Sequence, residues 1–223
     1  MFTGIIEAIG EVAEIRMVDG DMRLRIRTGT LDLGDVCLGD SIATNGICLT
    51  AVELPGDGFV ADVSRETLAH SRLPEFKVGE AVNLEKAMMP TSRFGGHIVT
   101  GHVDGLGCIV ERRDDARSVR LSIEVPAALQ RYIAAKGSIT VDGVSLTVNS
   151  VEGSTFGLNI VPHTAQETII DGYRTGQQVH LEVDIIARYL ERLMTGVASA
   201  GTGQESSRGL TMETLAASGF MRR

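Results

Sequence analysis

The sequence predicts an all-β protein, two small closed barrels in tandem followed by one C-terminal α-helix. Three observations carry this. The chain repeats itself once without a gap. Each copy is a series of short alternating apolar and polar runs. Tight-turn dipeptides recur at matching places.

The repeat appears when the sequence is slid against itself by 97 residues, which aligns 2–85 with 99–182; 20 of the 84 pairs are identical. They include Thr3/Thr100, Gly4/Gly101, Gly10/Gly107, Leu49/Leu146, Thr50/Thr147 and Glu85/Glu182. Turn glycines and apolar strand positions fall in step, the signature of two similar units.

Taken in order, Gly4–Ile15 reads as a strand rich in Ile and Val, with Gly10 as a bulge or bend. Arg23–Arg27 and Val119–Glu124 alternate with period two. Leu31–Val36 and Ala127–Ala135 read as connecting helical turns. Asn45-Gly46 and Asp142-Gly143 predict type I′ hairpin turns, which need φ > 0 at both central residues. Gly58–Val63 and Thr155–Val161 are strands; Arg65–Arg72 and His163–Ile170 are short helices. Ala81–Leu84 and Gln178–Val183 close each copy. About six short strands per copy fit a small closed barrel.

Pro90 and the pair Gly95-Gly96 interrupt regular structure between the copies. The expected domains are therefore 1–90 and 91–184. Ile186, Tyr189, Leu190 and Leu193 then recur at helical spacing, with Asp184 as a candidate cap, so 185–195 is expected to be helical. Residues 196–223 are expected to form a flexible tail, with a short helix over 210–220.

Composition narrows the function. The net charge of −8, a pI of about 5.1, 4% aromatics and no Trp argue against nucleic acid as a partner. Cys37, Cys48 and Cys108 are odd in number and lack CxxC spacing, so neither a disulfide framework nor a zinc site is expected. The N-terminus has no basic stretch before a long apolar run, and no stretch is long and apolar enough to span a membrane. A cytoplasmic location is the expectation.

Strand alternation selects candidate site residues. Val144, Leu146 and Val148 should face the second barrel's interior, leaving Ser145, Thr147 and Asn149 outside. In the first copy, Ile47, Leu49 and Ala51 face inward and leave Cys48 and Thr50 outside. Each copy thus presents a polar row able to hydrogen-bond a flat heterocycle. His102, opposite Ile5 in the repeat, is a candidate proton carrier. Lys136 is a candidate counter-charge, and Glu182 and Asp184 are candidates for orienting a ligand. Each also has a plain structural reading: solvent-facing hydroxyls, a surface histidine, a solvated lysine, a capping acid. No Walker loop, dinucleotide fingerprint, GxSxG elbow or HExxH is present.

Four stretches together resemble the riboflavin synthase family of the α-chain type: the opening Met1-Phe2-Thr3-Gly4-Ile5-Ile6-Glu7; Gly95-Gly96-His97-Ile98-Val99-Thr100-Gly101-His102-Val103-Asp104; and the paired turns Asn45–Thr50 and Asp142–Val148. The likeness covers roughly residues 1–195. It implies two six-stranded Greek-key barrels and a C-terminal helix that joins three copies into a homotrimer. It implies dismutation of two 6,7-dimethyl-8-ribityllumazine molecules by four-carbon transfer, without metal or redox cofactor. The alternative within the family is a lumazine- or flavin-binding antenna protein that does not catalyse. A flavin-dependent reductase would need a nucleotide-binding α/β domain, for which the sequence has no pattern.

Carried over by motif, the resemblance implies a first half-site of Gly4, Ile5 and Ile6, then Cys48, Leu49 and Thr50, then Asp62, Val63, Ser64, Arg65, Glu66 and Thr67. The second would be Gly101, His102 and Val103, then Lys136, then Ser145, Leu146 and Thr147, then Asn159, Ile160, Val161, Pro162, His163 and Thr164. Asp62 and Asn159 would hold the ribityl hydroxyls. Ser145 and His102, with Thr147, are expected to serve proton transfer and nucleophile delivery, while Cys48 and Thr50 position the second molecule.

Overall fold

Type I′ turns anchor both halves. Asn45 and Gly46 have φ of 46° and 79°, and Asp142 and Gly143 have 44° and 81°. These values match the twist of the strands they join. The computed structural model describes residues 1–195, so the expected linker and the helix at 210–220 lie outside them. Met1–Glu191 form one compact unit that holds both barrels; a second unit starts at Arg192.

The first barrel contains β1 (Ala8–Val18), β2 (Asp21–Arg27), β3 (Ser41–Thr44), β4 (Ile47–Glu53), β5 (Gly58–Val63) and β6 (Ala81–Lys86). The second contains β7 (Gly105–Asp115), β8 (Ser118–Glu124), β9 (Ser138–Val141), β10 (Val144–Glu152), β11 (Thr155–Ile160) and β12 (Gln178–Val183). Both close in the same antiparallel order: β1-β2-β5-β4-β3-β6, and β7-β8-β11-β10-β9-β12. Closure removes every sheet edge. Alternate residues along the strands point inward and fill each barrel, Leu24, Ile26, Phe59 and Leu84 in one, Leu121, Ile123, Phe156 and Leu181 in the other.

Among the described residues, four α-helices connect or follow the strands: α1 (Arg65–Ala69), α2 (Ala127–Gln130), α3 (Pro162–Gln166) and α4 (Ile185–Met194). Ser64 caps α1 by accepting from the Thr67 N–H, and the Asp184 carboxylate accepts from the Ile186 N–H at the start of α4. No described helix is long and apolar enough to cross a membrane.

Several local expectations are corrected. Gly10 is not the bulge; the register shifts at Ala13, between Val12 and Glu14. Gly10 is needed instead for close packing, since a Cβ there would lie 2.5 Å from Leu84 Cδ1. Leu31–Val36 forms turns rather than a helix, and Ala127–Ala135 keeps helix only to Gln130. The run His163–Ile170 splits at Thr168, whose hydroxyl donates to Thr164 O. The first residues of the expected strand Gly4–Ile15 leave the barrel altogether.

Those residues define how the barrels meet. The segment 2–6 and its repeat counterpart 99–103 act as two straps that pair with each other: Phe2 N donates to Val99 O (2.8 Å) and Val99 N to Phe2 O (3.1 Å). Phe2 and Val99 are buried with Ala43 between the barrels. Burial of a side chain like Phe2 stabilises by roughly 2–3 kcal/mol. The two turn glycines also meet. A Cβ on Gly143 would lie 2.7 Å from Gly46 N, and one on Gly46 the same distance from Gly143 N.

Candidate functional site

The straps cross over. Gly101 of the second strap accepts a hydrogen bond from Cys48 N (2.9 Å) on β4 of the first barrel. Gly4 of the first strap accepts one from Ser145 N (2.7 Å) on β10 of the second. Both glycines have left-handed backbones, φ of 75° at Gly4 and 79° at Gly101, and no room for a side chain. A Cβ at Gly101 would lie 2.6 Å from Cys48 Cβ, and one at Gly4 2.7 Å from Ser145 Cβ.

The grouping of the expected half-sites therefore changes. Gly101, His102 and Val103 lie with Cys48 and Thr67, not with Ser145. They line a groove of about 350 Å³ together with Glu66 and His70. Gly4 lies with Ser145, and Ile6 packs on the second barrel's core rather than the first's. Val103 likewise packs on the first barrel's core. Each site is thus built from one barrel plus the strap held at the base of the other.

Two buried carboxylates hold the straps. Glu85 on β6 accepts from Thr3 N (2.7 Å), Thr3 Oγ1 (2.8 Å) and Gly4 N (2.9 Å). Glu182 on β12 accepts from Thr100 N (2.6 Å), Thr100 Oγ1 (2.8 Å) and Gly101 N (2.9 Å). Burial pushes both carboxyls above the usual range, and these hydrogen bonds pull back against it. Glu182 is therefore occupied by the strap, and Asp184 by the start of α4.

The strand faces match the alternation. Ile47, Leu49, Ala51, Val144 and Val148 are buried, Leu146 is half-buried, and Thr50 and Thr147 are exposed. Cys48 and Ser145 are half-buried beneath the straps. In register, Thr50 lies beside Ser41, and Thr147 beside Ser138.

Ser145 has a partner that sequence reasoning passed over. His97 Nδ1 lies 2.7 Å from Ser145 Oγ. His97 is buried, and desolvation lowers its pKa despite the opposing charge of Asp184. Its Nε2 is buried without a protein partner among the described residues. The glycines before it were the available signal: a Cβ on Gly96 would lie 2.9 Å from Ser145 Cβ, so that bend must be bare to seat the histidine. His102 stands away from this pair, exposed beside Cys48.

Asp62 and Asn159 occupy equivalent positions with unlike surroundings. Arg23 grips Asp62 with two hydrogen bonds of 2.7 and 2.9 Å and holds its carboxyl below the usual range. On the second barrel Arg120 turns instead to Asp115 (2.5 Å). Val63 and Ile160 are core residues; Ser64, Arg65 and Glu66 are exposed around the start of α1, and Val161 and His163 around the start of α3, with Pro162 and Thr164 half-buried. Arg65 donates to Asp19 O (2.6 Å), tying α1 to the β1–β2 turn. Lys136 is exposed at φ 68°, a left-handed backbone that costs a lysine strain. No cluster of metal-ligating side chains occurs among the described residues.

The model of the lumazine binding domain matches this chain twice, over residues 3–87 and 100–184. A riboflavin synthase of Photobacterium phosphoreum is 49% identical over 221 residues, covering 99% of this chain and all of the relative. That of Actinobacillus pleuropneumoniae is 42% identical over 220 residues, again 99% of this chain and all of the relative. That of Bacillus subtilis is 41% identical over 194 residues, 87% of this chain and 90% of the relative. Among solved structures, LumP complexed with riboflavin has a TM-score of 0.76 at 24% identity, covering 82% of this chain and 99% of LumP. LumP complexed with 6,7-dimethyl-8-(1'-D-ribityl) lumazine has a TM-score of 0.74 at the same identity and coverage, a likeness of fold.

Proposed function

Because the chain belongs to the lumazine-binding family, as an enzyme of the riboflavin synthase type, we propose that it dismutates two molecules of 6,7-dimethyl-8-ribityllumazine. One molecule gives up a four-carbon unit and leaves as 5-amino-6-ribitylaminouracil. The other receives it and becomes riboflavin. Two identical substrates call for two related half-sites, and the observation that carries the reading is the repeated Cys48–Gly101 and Ser145–Gly4 arrangement.

Each lumazine lies along an outer strand row, Cys48 and Thr50 in one case, Ser145 and Thr147 in the other. The half-sites of different copies face each other in a homotrimer joined through α4, so that the two rings react as neighbours. Such proximity supplies roughly 7–11 kcal/mol of the acceleration. The C7 methyl of one lumazine is acidic because its anion delocalises into the ring.

Ser145 and His97 form the reacting pair of the second half-site. A neutral His97 Nδ1 takes the Ser145 proton as the hydroxyl, or a water it orients, adds to the ring. His102 serves proton transfer at the first half-site, beside Cys48. Lys136 balances negative charge that develops on the ring.

The test is direct. The purified chain, incubated with 6,7-dimethyl-8-ribityllumazine and nothing else, should release riboflavin and the diaminouracil in equal amounts. Lumazine that binds and stays unconverted would overturn the catalytic reading and leave an antenna-type binder.

A further inference from the structure

We propose that Glu85 and Glu182 are positioning residues that act crosswise, each governing the half-site on the barrel to which it does not belong. Glu182 projects from β12 of the second barrel, yet the strap it holds lies over Cys48 of the first. Glu85 projects from β6 of the first barrel, yet its strap lies over Ser145 of the second.

The chemistry asks for a carboxylate. In each case one oxygen takes the threonine N–H and hydroxyl, and the other takes the glycine N–H. A fork that only accepts, set between two successive backbone N–H groups, fixes the strap's position along the chain as well as its distance. An amide could accept at one prong, but its NH₂ would face the glycine N–H donor to donor. Both carboxylates are only 4% exposed, a costly placement that such charge-assisted bonds offset. The residue after each glycine differs: His102 follows Gly101 into the groove beside Cys48, and Ile5 follows Gly4. The same device serves unlike residues, so it sets where the strap lies and not which chemistry it brings.

The effect on catalysis rests on the two-half-site reading, but the geometry can be tested without lumazine. In a Cys37→Ser, Cys108→Ser background, Cys48 is the remaining thiol, and its alkylation by a small maleimide reports how closely the second strap covers it. Glu182→Gln should speed that alkylation by roughly tenfold, the equivalent of one lost charge-assisted hydrogen bond. Glu85→Gln should leave it unchanged while lowering kcat/KM. Lumazine titration should show Glu182→Gln weakening the half-site of Cys48 and sparing that of Ser145, with the reverse for Glu85→Gln. Wild-type Cys48 reactivity in a folded Glu182→Gln protein, or exposure of Cys48 by Glu85→Gln, would overturn the crosswise role. Should Glu182→Gln fail to fold, Thr100→Val removes one donor to the same carboxylate, and unaltered Cys48 reactivity there overturns the proposal equally. Lack of riboflavin formation by the unaltered chain would count against the reaction and leave the thiol result standing.

Discussion

Asn83 on β6 and His180 on β12, equivalent in the repeat, make the same two hydrogen bonds in opposite directions across the barrel interface. Asn83 Nδ2 donates to Asp142 O (2.9 Å) while its Oδ1 accepts from Ile169 N (2.8 Å). His180 Nδ1 bonds to Asn45 O (3.0 Å) while Nε2 accepts from Arg72 N (2.8 Å). Because Arg72 N–H can only donate, Nε2 must be the bare nitrogen and Nδ1 the protonated one. Different side chains thus close the same gap by offering one donor and one acceptor at similar places.

Replacing Asn83 by Ala should therefore cost more than a surface change. It leaves a buried N–H and a C=O without partners, at about 1–3 kcal/mol each. Chemical denaturation of Asn83→Ala should show a loss of roughly 2–5 kcal/mol, whereas His180→Asn, which keeps one donor and one acceptor, should lose less. A loss under about 0.5 kcal/mol for Asn83→Ala would mean that the bridge does not hold the barrels together.

The barrels were legible because their signals are local. Period-two alternation placed Ile47, Leu49, Ala51, Val144 and Val148 inward, and Asn45-Gly46 and Asp142-Gly143 formed the expected turns. The crossing of the straps was not legible. Gly4 meets Ser145 and Gly101 meets Cys48 only after two barrels have closed and packed, and no sequence spacing encodes that docking. The same holds for His97, which approaches Ser145 from 48 residues away. One signal was present but unread. Asn83 and Glu85, and His180 and Glu182, alternate with apolar residues where a solvent face would be expected, yet all four are buried. Polar residues on a strand buried on both faces mark contact with something beyond their own barrel.

Lys136 carries backbone strain that its counterpart avoids. The equivalent residue in the first barrel is Gly39, at φ 94°, while Lys136 sits at φ 68°. Left-handed backbone costs a residue with a Cβ roughly 1–2 kcal/mol, and a glycine's extra freedom in the unfolded chain returns part of that. Lys136→Gly should thus leave the thermal midpoint unchanged or slightly higher. If the cation serves the second half-site, kcat/KM should still fall roughly tenfold, about 1.4 kcal/mol. Unaltered kinetics in that variant would remove Lys136 from the site.

The helix α4 is pinned on one side and bare on the other. Arg188 pairs with Asp104 and lies 5.1 Å from the Tyr132 ring centre; Tyr132 donates to Glu191, and Arg131 lies 2.5 Å from the same carboxylate. Those ties leave Ile186, Tyr189 and Leu190 exposed. An apolar face with this exposure fits contact with further copies of the chain. If α4 joins the proposed homotrimer, Ile186→Glu with Leu190→Glu should reduce the mass seen by light scattering from three chains to one. Riboflavin formation should fall with it, since the two half-sites would no longer meet. A trimer that survives both charges would place the contact elsewhere.

The Ser145–His97 pair makes the sharpest kinetic prediction. Removing a positioned base or the hydroxyl it serves should lower kcat on the order of a hundredfold. Ser145→Ala and His97→Gln should be alike, and the double variant little worse than either, because the two act as one unit. Burial lowers the His97 pKa. The base therefore stays neutral as pH falls past about 6.5, the ordinary histidine value. The acid limb of the kcat profile assigned to it should lie below that value and vanish in His97→Gln. Stability should move with the same group. Below about 6.5 the unfolded chain binds a proton at this position before the folded chain does, so the folded state loses stability as pH drops through that window. His97→Gln should flatten that part of the pH–stability curve. An acid limb that persists unchanged in His97→Gln would assign the titration to another group and leave Ser145 without its base.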